Sequence, residues 1–168
     1  LSDLPIPVSP WRSVQNGPNA FVVESFIDEL AHSAGKDPLE FRLKLLKNEM
    51  RPRRVLETVA EKAGWGKPLA NGNGRGIAQN TCFGTSAAQF AEVSVNEKDG
   101  TFKVHRIVVA IDCGPAVAPF NIKTQIEGAV TMALSTVLRE EVKFAKGGVS
   151  SANFDDYNPI RLSEVPDV

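Results

Sequence analysis

Around Gly66–Gly76 the chain changes its hydrophobic period, and no other feature of the sequence limits the fold so strongly. The stretch carries Lys67-Pro68 and Asn71-Gly72-Asn73-Gly74, which makes it a loop by composition. Ahead of it, apolar residues recur at helical spacing; behind it, they alternate or run together as in strands. The division predicts an α+β fold in two parts. A helical part with an extended lead occupies 1–66. A strand-rich part, a mixed or antiparallel sheet packed with a long helix, occupies 67–168.

Three helices are expected in the first part. Asn19 is a candidate cap for the first, which places Val22, Val23, Phe26, Ile27 and Leu30 on one face and Glu24, Asp28 and Glu29 mainly opposite. The second starts at Asp37-Pro38-Leu39-Glu40, with a cap, a proline in the first turn and an acid three residues after the cap. Leu39, Leu43 and Leu46 form its stripe. The third, from about Pro52 to Ala63, buries Val55, Leu56, Val59 and Ala60 and stops at Gly64. Ahead of them, Pro5, Pro7 and Pro10 fix an extended strip through residues 1–18 that reads as a connector from something upstream.

In the second part, residues 75–83 form a candidate strand. Ala91, Val93 and Val95 alternate toward a turn at Asn96–Gly100, and Phe102 to Ile111 returns. The unbroken apolar run Ile107-Val108-Val109-Ala110-Ile111 predicts burial on both faces. A helix follows from Pro119 to about Leu138, with Ile122, Ile126, Val130, Ala133 and Val137 on one side. A last strand pair is expected near 139–145 and 149–157, around Gly147-Gly148.

Charge and cysteine usage narrow the chemistry. Nineteen basic and twenty acidic residues give a net charge of -1, which supplies no broad attraction to a phosphate backbone, so nucleic acid is not an expected partner. Cys82 and Cys113 form no CxxC pair, and with His32 and His105 as the only histidines a protein-ligated zinc or iron–sulfur site is short of ligands. No apolar run approaches the roughly 20 residues that span a membrane. The sequence opens on Leu1 with no signal-peptide pattern, so a longer or processed parent chain is expected.

The candidate sites are turns and a helix. Asp112-Cys113-Gly114-Pro115 lies between a buried strand and a helix, where open sheets present ligand sites; an ordinary strand-to-helix turn reads the same way. Gln125 and Gly128 form Gln-x-x-Gly on the next helix. The glycine, which costs about 1 kcal/mol there relative to alanine, implies either close helix packing or ligand approach. Arg12, in Trp11-Arg12-Ser13, offers a guanidinium to an oxyanion or to solvent. Phe83-Gly84-Thr85-Ser86 is an anion-cradling loop or a plain turn. Cys113 has no nearby histidine and reads as a small buried residue rather than a reactive thiol. Asp155-Asp156 and Glu140-Glu141 read as solvated acids.

Taken in order, these segments resemble a known family. Pro10-Trp11-Arg12-Ser13-Val14, Asn19 through Ala31 and Asp37-Pro38-Leu39-Glu40-Phe41-Arg42 open the match. Gly74-Arg75-Gly76-Ile77-Ala78, Phe83-Gly84, Ala91-Glu92-Val93 and Val104-His105-Arg106 continue it. Asp112-Cys113-Gly114, Gln125-Ile126-Glu127-Gly128 and Asn153-Phe154-Asp155-Asp156-Tyr157 complete it. The series is similar to the large, molybdopterin-binding subunit of isoquinoline 1-oxidoreductase-like enzymes, in the xanthine dehydrogenase and aldehyde oxidase superfamily.

The resemblance implies molybdopterin cytosine dinucleotide with molybdenum as cofactor, an aldehyde or N-heterocycle as substrate, and a small 2Fe-2S subunit as electron acceptor. It places Arg12 beside the substrate pocket, Gln125 against the pterin, and Phe83, Gly84, Asp112, Cys113, Gly114 and Gly128 along the cofactor cleft. No catalytic residue is expected within the chain. The Gly-Gln-Gly and Gly-Phe-Gly loops lie upstream in such subunits, and the Gly-Glu-Pro loop with the catalytic glutamate should follow residue 168. Other segments of the large subunit, or a complementary chain, are therefore implied as partners. Departures are Ala118-Pro119 in place of Asn-Pro, and Thr131-Met132-Ala133 where glycines are typical. The alternative is a non-catalytic interaction or scaffold domain derived from the family.

Overall fold

A computed structural model describes residues 9–168. The chain forms two compact units, Arg12–Val117 with Pro166–Val168, and Ala118–Val165 with 9–11. The α+β class expected from the sequence holds.

The first unit contains α1 (Asn16–Ser33), α2 (Pro38–Leu45), α3 (Met50–Ala63), β1 (Asn73–Cys82), β2 (Thr85–Val95) and β3 (Phe102–Asp112). The strands form one antiparallel sheet in the order β1-β2-β3. In register, Ile77 faces Phe90 and Phe90 faces Val108, with Ala88 opposite Ala110. Alternation therefore puts Ile77, Ala88, Phe90, Val108 and Ala110 on one face. Within this unit the helix covering that face is α3, whose Val55, Leu56, Val59 and Ala60 are buried there as expected from sequence. Leu56 and Val59 are wholly inaccessible, and burying each contributes roughly 1.5–3 kcal/mol. Leu39, Leu43 and Leu46 close the margin of the core. The helices of 1–66 and the strands after them thus share one core.

The caps follow local chemistry. The Asp37 carboxylate accepts the N–H groups of Leu39 and Glu40 at 2.9 and 3.0 Å, and Pro38 opens α2. Gly64 ends α3 at φ 75°, a left-handed conformation that glycine adopts without steric cost.

The first helix departs from expectation. It starts at Asn16 rather than after Asn19, and its apolar stripe points outward: Val22, Val23 and Phe26 are more than half exposed. Glu24 and Asp28 turn toward α2 instead, while Glu29 stays exposed. Arg42 is 2% exposed; its Nε donates to Glu24 Oε2 at 2.7 Å and its Nη1 to Asp28 Oδ1 at 2.6 Å. The same guanidinium donates to the carbonyls of Pro38 and Glu24. A buried guanidinium needs carboxylates more than this core needs three additional apolar side chains. Burial lowers the Arg42 pKa, but its bonds to Asp28 and Glu24 outweigh this and leave it raised.

The second unit is built on α4 (Pro119–Leu138), at the predicted bounds. Val130 and Ser135 are buried, whereas Val137, expected on the same side, is exposed. The predicted last strand pair is much shorter: β4 (Phe144–Ala145) and β5 (Gly148–Val149) flank a turn at Lys146-Gly147, both at positive φ. Ser135 Oγ accepts the Ile160 N–H at 2.9 Å, and a one-turn 3-10 helix, Leu162–Glu164, follows. Of the proline strip, residues 1–8 lie outside the described residues.

Candidate functional site

Five of the eight site residues named from the sequence come together at one end of the sheet. The β1–β2 turn consists of Phe83 and Gly84, both left-handed at φ 49° and 78°. Paired positive φ values match the right-handed twist of a two-residue hairpin, but a phenylalanine there costs about 1 kcal/mol. The phenyl ring is 81% exposed, so packing within the chain does not offset that cost. Beneath the turn, Thr81 and Ser86 hydroxyls lie 2.9 Å apart, with Ser86 buried. Ser86 is in register with Asp112, which brings the Asp112-Cys113-Gly114 turn alongside.

That second turn is braced from α3. Arg51 Nε donates to Asp112 Oδ2 at 3.0 Å, and Nη2 donates to Oδ1 and to the backbone carbonyl at 2.9 Å. The Gly114 N–H donates to Asp112 Oδ1 at 3.1 Å, with Gly114 at φ 82°. The Arg51 hydrogen bonds first, and the Gly114 N–H second, hold the Asp112 pKa down at about 2. Cys113, expected from the sequence to be buried, is exposed beside them, because it sits in the turn past the end of β3.

Arg51 was not a sequence candidate, yet the sequence carries a signal for it. The first turn of α3 reads Met50-Arg51-Pro52-Arg53-Arg54, with no acid. Cations are disfavoured at a helix N-terminus, so three arginines there call for a carboxylate elsewhere in the fold.

Arg12 is exposed ahead of α1, next to Ser13 and Val14, which are also left-handed at φ 68° and 54°. Gln125 and Gly128 belong to the other unit, on α4. Both are exposed, one turn apart, and a Cβ built on Gly128 meets nothing within 4 Å. Of the two readings open for this glycine, close packing is therefore not what the described residues show. Asp155-Asp156 is a local brace, as Asp156 accepts the Ala152 and Asn153 N–H groups at about 3 Å. Glu140 accepts the Tyr157 hydroxyl at 2.5 Å.

Cavities also lie outside these residues. One of about 600 Å³ separates α1 from the sheet face opposite α3, between Phe21, Glu24 and Asp28 on one side and Gly76, Ala78 and Gln89 on the other. Another of about 290 Å³ in the second unit is lined by Val142, Val149, Phe154 and Tyr157. Among the described residues, no group of three or more His, Cys, Asp or Glu side chains is placed to hold a metal ion, and no helix is long and apolar enough to cross a membrane.

Residues 26–166 match the sequence model of the molybdopterin cofactor-binding domain. The chain belongs to this family. Among curated proteins it is 35% identical over 151 residues to the beta chain of isoquinoline 1-oxidoreductase from Brevundimonas diminuta, covering 88% of this chain and 19% of that protein. To a nicotinate dehydrogenase subunit of Pseudomonas putida it is 36% identical over 180 aligned residues, covering 96% of this chain and 15% of the relative. The molybdopterin domain therefore spans less than a fifth of these relatives' length. Among solved structures, quinoline 2-oxidoreductase from Pseudomonas putida 86 aligns with 49% of this chain and 11% of its own, at 25% identity and a TM-score of 0.47. The resemblance read from the ordered motifs is borne out at the level of family, and the named relatives are oxidoreductase subunits.

Proposed function

We propose that this molybdopterin domain forms one wall of the cofactor cleft in a molybdenum hydroxylase that oxidises an N-heterocycle or an aldehyde. The observation that carries the reading is the exposed face of α4, where Gln125 stands one turn from Gly128 and, among the described residues, nothing fills the space a side chain would take. A helix glycine left uncovered lets a planar heterocycle approach the backbone, and a glutamine amide beside it offers both a donor and an acceptor to ring heteroatoms.

The donor chemistry suits a pterin. The Gln125 amide offers a donor and an acceptor of the kind a pterin ring pairs with, and in this reading the metal is carried by the cofactor's own dithiolene. In this reading Gln125 and Gly128 hold the pterin, while Phe83, Gly84, Cys113 and Gly114 border the nucleotide-bearing arm. Arg51 keeps Asp112 ionised and the Gly114 N–H turned toward it, and Arg12 borders the substrate. The bound group supplies the two-electron oxidation that places a water-derived oxygen on substrate carbon. A cytosine dinucleotide form, a 2Fe-2S subunit as electron acceptor, and further large-subunit segments carrying the general base complete the assembly we propose. Relatives named for isoquinoline and nicotinate support a heterocycle, and one named as an aldehyde dehydrogenase supports an aldehyde.

The test uses the protein from the complete reading frame. Molybdenum content, the nucleotide released by acid hydrolysis and dye-linked oxidation of N-heterocycles are measured for the parent and for Gly128→Val. The expected result is about one molybdenum per chain and cytidine monophosphate in the parent, with both lost in a variant that melts no lower. Molybdenum-free parent protein defeats the reading and favours the scaffold alternative. Full loading of Gly128→Val removes α4 from the cleft.

A further inference from the structure

The two edges of the three-stranded sheet are treated differently. On β1, the outward amide of Gln79 is taken by Glu24 Oε2 at 2.9 Å, the same oxygen that binds Arg42, so α1 blocks that edge against another strand. On β3, the outer edge is open except at one point among the described residues. The Ile107 N–H donates to the Asp167 carbonyl at 2.8 Å, and Arg106 and Asp167 form an isolated parallel bridge.

This bridge sets the phase of the rest of the edge. Backbone N–H groups alternate in direction along a strand, so an outward Ile107 amide puts Val109 and Ile111 outward too, while Val108 and Ala110 turn to β2. Among the described residues, the Val109 and Ile111 amides meet no acceptor. The side chains agree. An unbroken apolar run is the mark of a strand covered on both faces within a parallel pairing. Yet Ile111 is 37% exposed, and only Ile107, at 6%, is fully covered.

The geometry points to a fourth strand on this edge, running parallel to β3 and continuing in the register that Asp167 begins. In this inference its source is the polypeptide that continues from the Asp167 bridge in the complete protein; the relatives run at least five times the length matched here. The carbonyls two and four residues past Asp167 accept the Val109 and Ile111 amides. The incoming segment is apolar on both faces, because it lies beside Val108 and Ala110 on one face and Val109 and Ile111 on the other. The antiparallel sheet becomes a mixed one.

Amide hydrogen exchange on the complete protein tests this from within one strand. Val109 and Ile111 are expected to exchange within about tenfold of Val108 and Ala110; slower protection of the even pair by more than that overturns the strand. A substitution distinguishes a strand from any other cover. Val109→Pro removes the outward donor and leaves the β2 ladder intact, whereas Val109→Thr keeps both the donor and the shape. The melting midpoint of the complete protein should fall by more than about 2 °C further in Val109→Pro than in Val109→Thr. Equal midpoints overturn the inference.

Discussion

Arg51 binds Asp112 through both carboxylate oxygens and the backbone carbonyl, which ties the first turn of α3 to the last residue of β3. The pairing settles two problems at once. The arginine is kept from opposing the helix dipole alone, and the carboxylate is held where it accepts the Gly114 N–H. The Cys113 turn is therefore a braced feature rather than a slack connection.

The brace titrates in acid. Asp112 is held at about 2, below its unfolded value near 3.9. A depressed carboxyl pKa contributes stability that is complete above the unfolded value and is lost as pH falls through the folded one. The loss therefore runs from roughly pH 4 down to pH 2. Carboxyl NMR should show Asp112 titrating near the lower figure. In Arg51→Met, whose remaining brace is the Gly114 N–H, the titration should move toward the ordinary range. An unmoved titration would mean that Arg51 does not hold the turn.

The Arg42 cluster carries more of the fold. Its guanidinium is buried, and Glu24, which it binds, is only 14% exposed. Removing the arginine leaves that carboxylate unpaired under cover, a change that costs about 3–5 kcal/mol. Arg42→Ala should lower the urea unfolding free energy by that order. Arg42→Lys keeps the charge but loses the fork that reaches Glu24, Asp28 and two carbonyls, so it should fall between the parent and alanine. A loss below about 1 kcal/mol for alanine would show that the cluster is solvated.

Phe83 is strained and uncovered, the combination found where a side chain serves something outside its own fold. Asparagine accepts the same left-handed conformation readily and forms the favoured Asn-Gly hairpin turn. Phe83→Asn should raise the stability of the chain by about 1 kcal/mol while reducing cofactor retention in the complete protein. Thermal unfolding and molybdenum analysis read the two effects separately. A stabilised variant with unaltered retention would make Phe83 a bystander.

How much of this was written in the sequence differs from element to element. The Asp37 cap, the Gly64 stop, the α3 stripe and the bounds of α4 were legible because each depends on residues within a few positions of one another. Capping and helical periodicity are local physics. The inversion of α1 was not legible: Val22, Val23 and Phe26 form as good an apolar stripe as any, and only the arrival of Arg42 from α2 shows which side the helix must turn inward. The clustering of Phe83-Gly84 with Asp112-Cys113-Gly114 depends on a strand register, and the Arg51 brace joins residues sixty-one positions apart. Sequence by itself determined the family, the elements and most of their ends. The tertiary structure decided which faces are spent inside the chain and which are left open, because the free energy of burying a charge depends on partners that local sequence does not specify.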